Sequence, residues 1–290
     1  MRMSRDEFLQ WDNKAVTLLG MSGVGKTALA SKLPKNAWFH YSADYRIGTK
    51  YLAEPIVDNI KKQAMRVGFL RDLLRSDSIY ICSNITVHNL EPISAFLGKI
   101  GNPGLGGLSA AEFKRRQRLH REAEIGAMKD VESFIVKARQ IYGYHHFIND
   151  TGGSVCELND DEVLEVLANN TVILYLRADK EMERKLIMRQ KQNPKPLYFQ
   201  EDFLDGQLAA YLKSQGLKST DEIVPDEFVQ WIFPKLVEHR RPLYQAIADQ
   251  YGYTVEARDV EQVQNEEDFL ELVASTLDSA HGGHRLTGEG

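Results

Sequence analysis

Eight consecutive residues near the start of the chain, Gly20-Met21-Ser22-Gly23-Val24-Gly25-Lys26-Thr27, read G-x-x-x-x-G-K-T, the phosphate-loop pattern. The residue types explain the spacing. Glycines let the backbone curl so that successive N–H groups face an anion, and the start of a following helix adds partial positive charge. Gly20, Ser22, Gly23, Val24, Gly25 and Ala28 are thus the expected backbone cradle. Lys26 is the ammonium that would bridge terminal phosphates, and Thr27 the hydroxyl that would ligate Mg2+. The bound pair implied is ATP with magnesium. Asp150-Thr151-Gly152-Gly153 does satisfy D-x-x-G, which raises a GTPase reading, but no Asn-Lys-x-Asp sequence follows an apolar strand to read guanine.

Other polar residues sit where open parallel sheets bind ligands, just past apolar runs. Asp44 follows Ala37–Tyr41 and could orient an acceptor hydroxyl or take its proton, while Arg46 could hold an anion. Asp150 ends the run from Tyr144 and reads as a magnesium-side carboxylate; its alternative is a helix N-cap. Gly152 and Gly153 allow close backbone approach to a ligand. Arg184 and Arg189, with Lys185 and Lys191, stud the helix expected over Glu181–Gln192, which Asn193-Pro194 breaks. Such a segment suits a lid over the phosphates, the alternative being a solvated helix face. His145 and His146 have no partners at metal-ligand spacing and read as packing residues.

These residues need elements to hold them. Lys14–Leu19 is a short apolar strand, and Lys26–Leu33 a helix stopped by Pro34. Further strands are expected at Ala37–Tyr41, Tyr144–Asp150, Thr171–Leu176 and Tyr253–Ala257, and a helix entered through Pro242. The order implies an α/β, three-layer P-loop nucleoside-triphosphatase fold, a five-stranded parallel sheet flanked by helices and bearing a large helical insertion. The expected core is 1–49 with 144–280, interrupted by a second insert at 199–238; 281–290 reads as a flexible tail.

The insertion, 50–143, carries helical patterns at Glu54–Met65, Gly68–Arg75, Leu90–Ile100 and Ala111–Tyr142, and it would form an acceptor or partner region. Ile79–Ile85 is ambiguous between strand and helix. Met128, Val131, Ile135, Ala138 and Ile141 mark the apolar face of the last helix. Its basic first half, Lys114–Arg121, reads as a solvated helix end paired with Glu122 and Glu124, or else as an anion contact. The Phe228–Phe233 aromatic cluster is expected to pack onto a core.

Composition sets bounds. Apolar residues are 43% and charged residues 27% of the chain, ordinary for a globular protein. A formal charge of −5 gives no global basic field, which argues against a nucleic-acid partner. No apolar run approaches the ~18–20 residues of a membrane span. Only Cys82 and Cys156 are present, so no disulfide framework exists. A cytoplasmic chain fits.

The order of landmarks resembles the shikimate kinase branch of small P-loop kinases, near gluconate and nucleoside monophosphate kinases. The matching pieces are Gly20–Thr27, Asp44, Thr151-Gly152-Gly153, Lys195-Pro196-Leu197-Tyr198 and Arg240-Arg241-Pro242-Leu243-Tyr244. The resemblance implies acceptor contacts for Asp44 and Arg240, and backbone contacts for Gly152 and Gly153. The chain departs from that pattern at Ser42, Ser154 and Lys195, and in the length of the stretch between Asp44 and Asp150. The function implied is Mg-dependent phosphoryl transfer from ATP to a small hydroxylated or anionic metabolite. An ATPase or ATP-dependent regulator without an acceptor is the alternative.

Overall fold

The computed structural model describes residues 1–282. The described chain divides into two compact units: 1–43 with 128–192 and the part from 233 onward, and 44–127 with 193–232.

The first unit is built on five strands, β1 (Ala15–Leu19), β2 (Trp38–Ser42), β3 (His146–Asp150), β4 (Val172–Arg177) and β5 (Tyr253–Glu256). They lie in the order β2-β3-β1-β4-β5, and every neighbouring pair is parallel. All five residues of β1 are buried, because helices cover both faces of a parallel sheet and leave no solvated side to alternate with. Register places Leu18 beside Asp150 and Leu174, and Ser42 beside Asp150. The chain leaves β1 to one side for β2 and β3, then crosses to the other for β4. A crevice therefore opens past the carboxyl end of β1. With the phosphate loop following β1, this is the three-layer P-loop nucleoside-triphosphatase fold.

Pro242 does not start a helix. It lies with Pro234 inside one helix, Pro225–Tyr251. Each proline removes a backbone donor, but buried Leu236, Val237, Tyr244 and Ala248 and the anchored Arg240 hold the helix together across the gap. The last helix, Glu266–Gly282, takes in residues 281 and 282 of the expected tail; 283–290 lie outside the described residues.

The second unit is helical, with helices Ala53–Ala64, Gly68–Arg75, Glu91–Leu97 and Glu201–Gln215, and the first part of Ala110–Gln140. Its core gathers Ile56, Ile93, Phe96, Phe113, Phe199, Leu204, Phe228 and Ile232. Tyr211, Phe228 and Trp231 stack edge and face within it, as the aromatic cluster was expected to. Residues 79–85 form neither strand nor helix. Here the expectation for Lys114–Arg121 is corrected. Arg116, Gln117 and His120 are buried, and Lys114, Arg115, Arg116 and Arg118 pair with Glu112, Glu201 and Asp205, while of the two expected partners Glu124 lies 3.9 Å from His120. Ile141 is corrected too: it falls beyond the helix end and is 67% exposed, while Met128, Val131 and Ala138 are fully buried.

Candidate functional site

The phosphate loop leaves β1 at Leu19 and turns into helix Lys26–Lys32, with Gly25 as a left-handed N-cap. Gly20, Gly23 and Gly25 all have positive φ, which a β-carbon would strain. Ser22, Gly23, Thr27 and Ala28 are open to solvent, whereas Val24 and Lys26 are buried. The Val24 N–H is spent within the loop on the Met21 carbonyl. Lys26 Nζ donates to the carbonyls of Gly20 at 2.7 Å and Met21 at 3.1 Å, so its ammonium lies folded along the loop.

Asp150 comes from the end of β3. Its neighbour Thr151 donates its hydroxyl to Leu18 O at 2.8 Å and locks the strand end to β1. Thr27 Oγ1 donates to Asp150 Oδ2 at 2.6 Å, and His40 Nε2 stands 3.5 Å from the same oxygen. Asp150 caps no helix: the N-caps that follow are Ser154 and Asp160. A hydroxyl and a buried carboxylate beside one ammonium make a donor set that fits an anion chelated to a hard cation.

Behind the loop lies a second layer. A β-carbon on Gly153 would sit 2.8 Å from the Ser22 nitrogen, so glycine is required for this approach. Arg240 Nη1 donates to Gly153 O at 2.6 Å, and its Nε and Nη2 donate to Glu157 Oε2 at 3.0 and 2.5 Å. Burial alone would lower the Arg240 pKa, but the Glu157 carboxylate raises it overall. One turn later Tyr244 donates to Gly20 O at 3.2 Å and stacks on Tyr175, whose own pKa burial pushes up to about 12.

Comparison with family models and with curated protein sequences found no match. Among solved structures the chain is similar to shikimate kinase from Acinetobacter baumannii in complex with shikimate. The likeness is 15% identity over 98% of this chain and 99% of that one, with a TM-score of 0.40.

The two arginines of the expected lid are not equivalent. Arg189 Nη1 lies 3.4 Å from where a β-carbon on Gly23 would be, beside the mouth of the loop. Arg184 is exposed on the same helix, Lys180–Gln192. That helix is fastened by Arg241, which donates to both carboxylate oxygens of Glu183 at 2.8 and 2.7 Å. Gly152 is buried beside Gly153. Asp44 and Arg46 lie on the short helix Ala43–Arg46 directly after β2; both are half-buried and both belong to the helical unit.

His40, Glu157, Glu183 and Tyr244 entered no expected site. His40 could have been found, because it sits at an alternate position of a strand paired with the one that ends in Asp150. Glu157 gives no such signal: its partner is 83 residues away.

Proposed function

We propose that the chain is a magnesium-dependent ATP phosphotransferase acting on a small hydroxylated or anionic metabolite. The observation that carries this reading is the 2.6 Å contact between Thr27 and Asp150, made beside the buried ammonium of Lys26. An ammonium, a hydroxyl and a carboxylate at one end of a parallel sheet are the groups that holding a chelated polyphosphate requires.

Bound, the nucleotide supplies the phosphoryl group, and its magnesium neutralises the charge on it. Thr27 and Asp150 are the residues that would hold the ion. Lys26 moves off its two carbonyl partners to meet the terminal phosphates. Arg189 offsets the charge that builds on the transferring group, and the lid helix excludes water so that transfer outruns hydrolysis. Asp44 accepts the proton of the acceptor hydroxyl, and Arg46 binds an acceptor anion. Gly152 and Gly153 lend backbone to the wall of the site. A soluble small-molecule acceptor, rather than a nucleic acid, fits the chain's acidic balance. No helix among the described residues is long and apolar enough to cross a membrane. A cytoplasmic location is part of the proposal.

The test is a pair of assays on the full chain. Mg·ATP binding is expected to be saturable, preferred over GTP, and weakened about a hundredfold or more in Lys26→Ala. A metabolite mixture is expected to raise ADP formation while free phosphate stays low. Free phosphate released in step with ADP, whatever is added, overturns the transferase and leaves an ATPase. Lys26→Ala binding Mg·ATP at parent strength overturns the site altogether.

A further inference from the structure

Helix Pro225–Tyr251 presents Arg240 and Tyr244 one turn apart, on one face. Both reach the phosphate loop, by different routes. Tyr244 donates directly to Gly20 O, at the loop's first residue. Arg240 works through Gly153. Its Nη1 donates to the Gly153 carbonyl, and Gly153 packs so closely on Ser22 that no β-carbon fits between them. The far side of the guanidinium is occupied by Glu157, with side chains 7% and 0% exposed for arginine and glutamate. His239 Nε2 stands 3.4 Å from the other Glu157 oxygen.

Geometry gives this arrangement a direction. A guanidinium is a rigid plane with donors fixed along separate axes, so a carboxylate gripping Nε and Nη2 sets where Nη1 points. Glu157 therefore aims Arg240, and Arg240 aims the Gly153 carbonyl. A buried carboxylate and a buried guanidinium persist only as a pair, because either one alone would be an uncompensated charge in the interior.

We propose that Glu157 and Arg240 are positioning residues for the phosphate loop, a clamp that presses Gly153 against Ser22 and fixes the backbone amides there. Arg240 then serves the nucleotide end of the site, whereas the resemblance to shikimate kinases implies that it serves the acceptor. The clamp rests on the phosphate-loop reading above.

Mg·ATP titration with no acceptor present separates the two roles, because an acceptor ligand can be removed without changing nucleotide affinity. Arg240→Lys keeps a buried cation for Glu157, but an ammonium cannot hold Glu157 and the Gly153 carbonyl along two fixed axes. It is expected to keep its melting temperature within about 3 °C and to bind Mg·ATP about tenfold more weakly. The double variant Arg240→Met with Glu157→Met removes both charges together, which preserves folding better than removing one. It is expected to show the same weakening. Parent-strength Mg·ATP binding in either folded variant overturns the clamp. Lys26→Ala, run alongside, keeps the readings apart. If it loses the nucleotide while the Arg240 variants retain it, only the clamp fails; if it too binds as the parent does, the phosphate-loop reading fails.

Discussion

In the sheet unit one set of buried polar side chains gathers past the carboxyl ends of the strands. Asp150 ends β3 and Thr151 follows it, Lys26 donates to Gly20 and Met21 just past β1, and Arg240 joins Glu157 to Gly153. In the helical unit half-buried Glu112 and buried Arg116, His120 and Glu124 are strung along one face of a helix, each one turn from the next. Arg116 shows what that row does. Its three nitrogens donate to Glu112 at 2.7 Å, Phe96 O at 2.5 Å and Asn59 at 2.7 Å, so it ties three segments of its unit together. The first set meets a solvent-facing loop, where exposed Thr27 donates its hydroxyl to buried Asp150. The second has Arg116 spent on neighbours within its own unit. A buried charge is evidence of a site only where some of its neighbours still face outward.

The comparison breaks most sharply at Asp150. If the sheet unit's polar end is a cation site, Asp150→Asn keeps the hydrogen bond from Thr27 but removes the charge. Magnesium affinity in the presence of nucleotide is expected to fall about tenfold to a hundredfold, with little change in melting temperature. Titration of Mg2+ against fixed ATP measures it. Unchanged magnesium affinity would mean that Asp150 is merely a strand-end residue, no different in kind from the row in the helical unit.

A smaller effect separates two residues that look alike in sequence. Arg189 stands beside Gly23 and Arg184 does not, although both are exposed on the same helix. Arg189→Ala is expected to lower turnover about tenfold, near 1.4 kcal/mol of barrier, with Arg184→Ala within about twofold of the parent. Equal losses would show that the helix contributes only its overall positive charge.

The same contrast explains what the sequence made legible. Five strands, their parallel arrangement and the phosphate loop are encoded within a few residues each, in apolar runs and in glycine spacing, so they could be read without partners. The basic stretch at Lys114–Arg121 could not. Periodicity says that Arg116 and His120 share a face, but whether that face meets water or protein depends on Asn59 and Phe96, far away in the chain. Pro242 misleads for a related reason. A proline commonly begins a helix, and only the burial of Tyr244 and the anchoring of Arg240 and Arg241 show that the helix runs through it. Glu157 was invisible, because a lone carboxylate acquires its role from an arginine on another element.

Acid tests the helical unit alone, at the head of its charged row. Glu112 accepts from Arg115 Nε and Nη2 at 2.8 and 2.9 Å and from Arg116 Nε at 2.7 Å. The hydrogen bonds from Arg115 foremost, then those and the charge of Arg116, lower its pKa from 4.5 to about 2 in spite of some burial. A carboxylate whose folded pKa is depressed stabilises the fold in full above its unfolded pKa and loses that contribution as pH falls through the folded one. The window here is therefore about pH 4.5 down to about pH 2. Because Glu112 is partly exposed, the contribution after solvent screening is on the order of 1 kcal/mol. Urea unfolding followed by helix circular dichroism is expected to show Glu112→Gln less stable than the parent by about this amount at pH 7, with the gap closing toward pH 2. A gap that stays constant with pH would mean that Glu112 acts by shape rather than charge, and that the row of charges in the helical unit is held by packing.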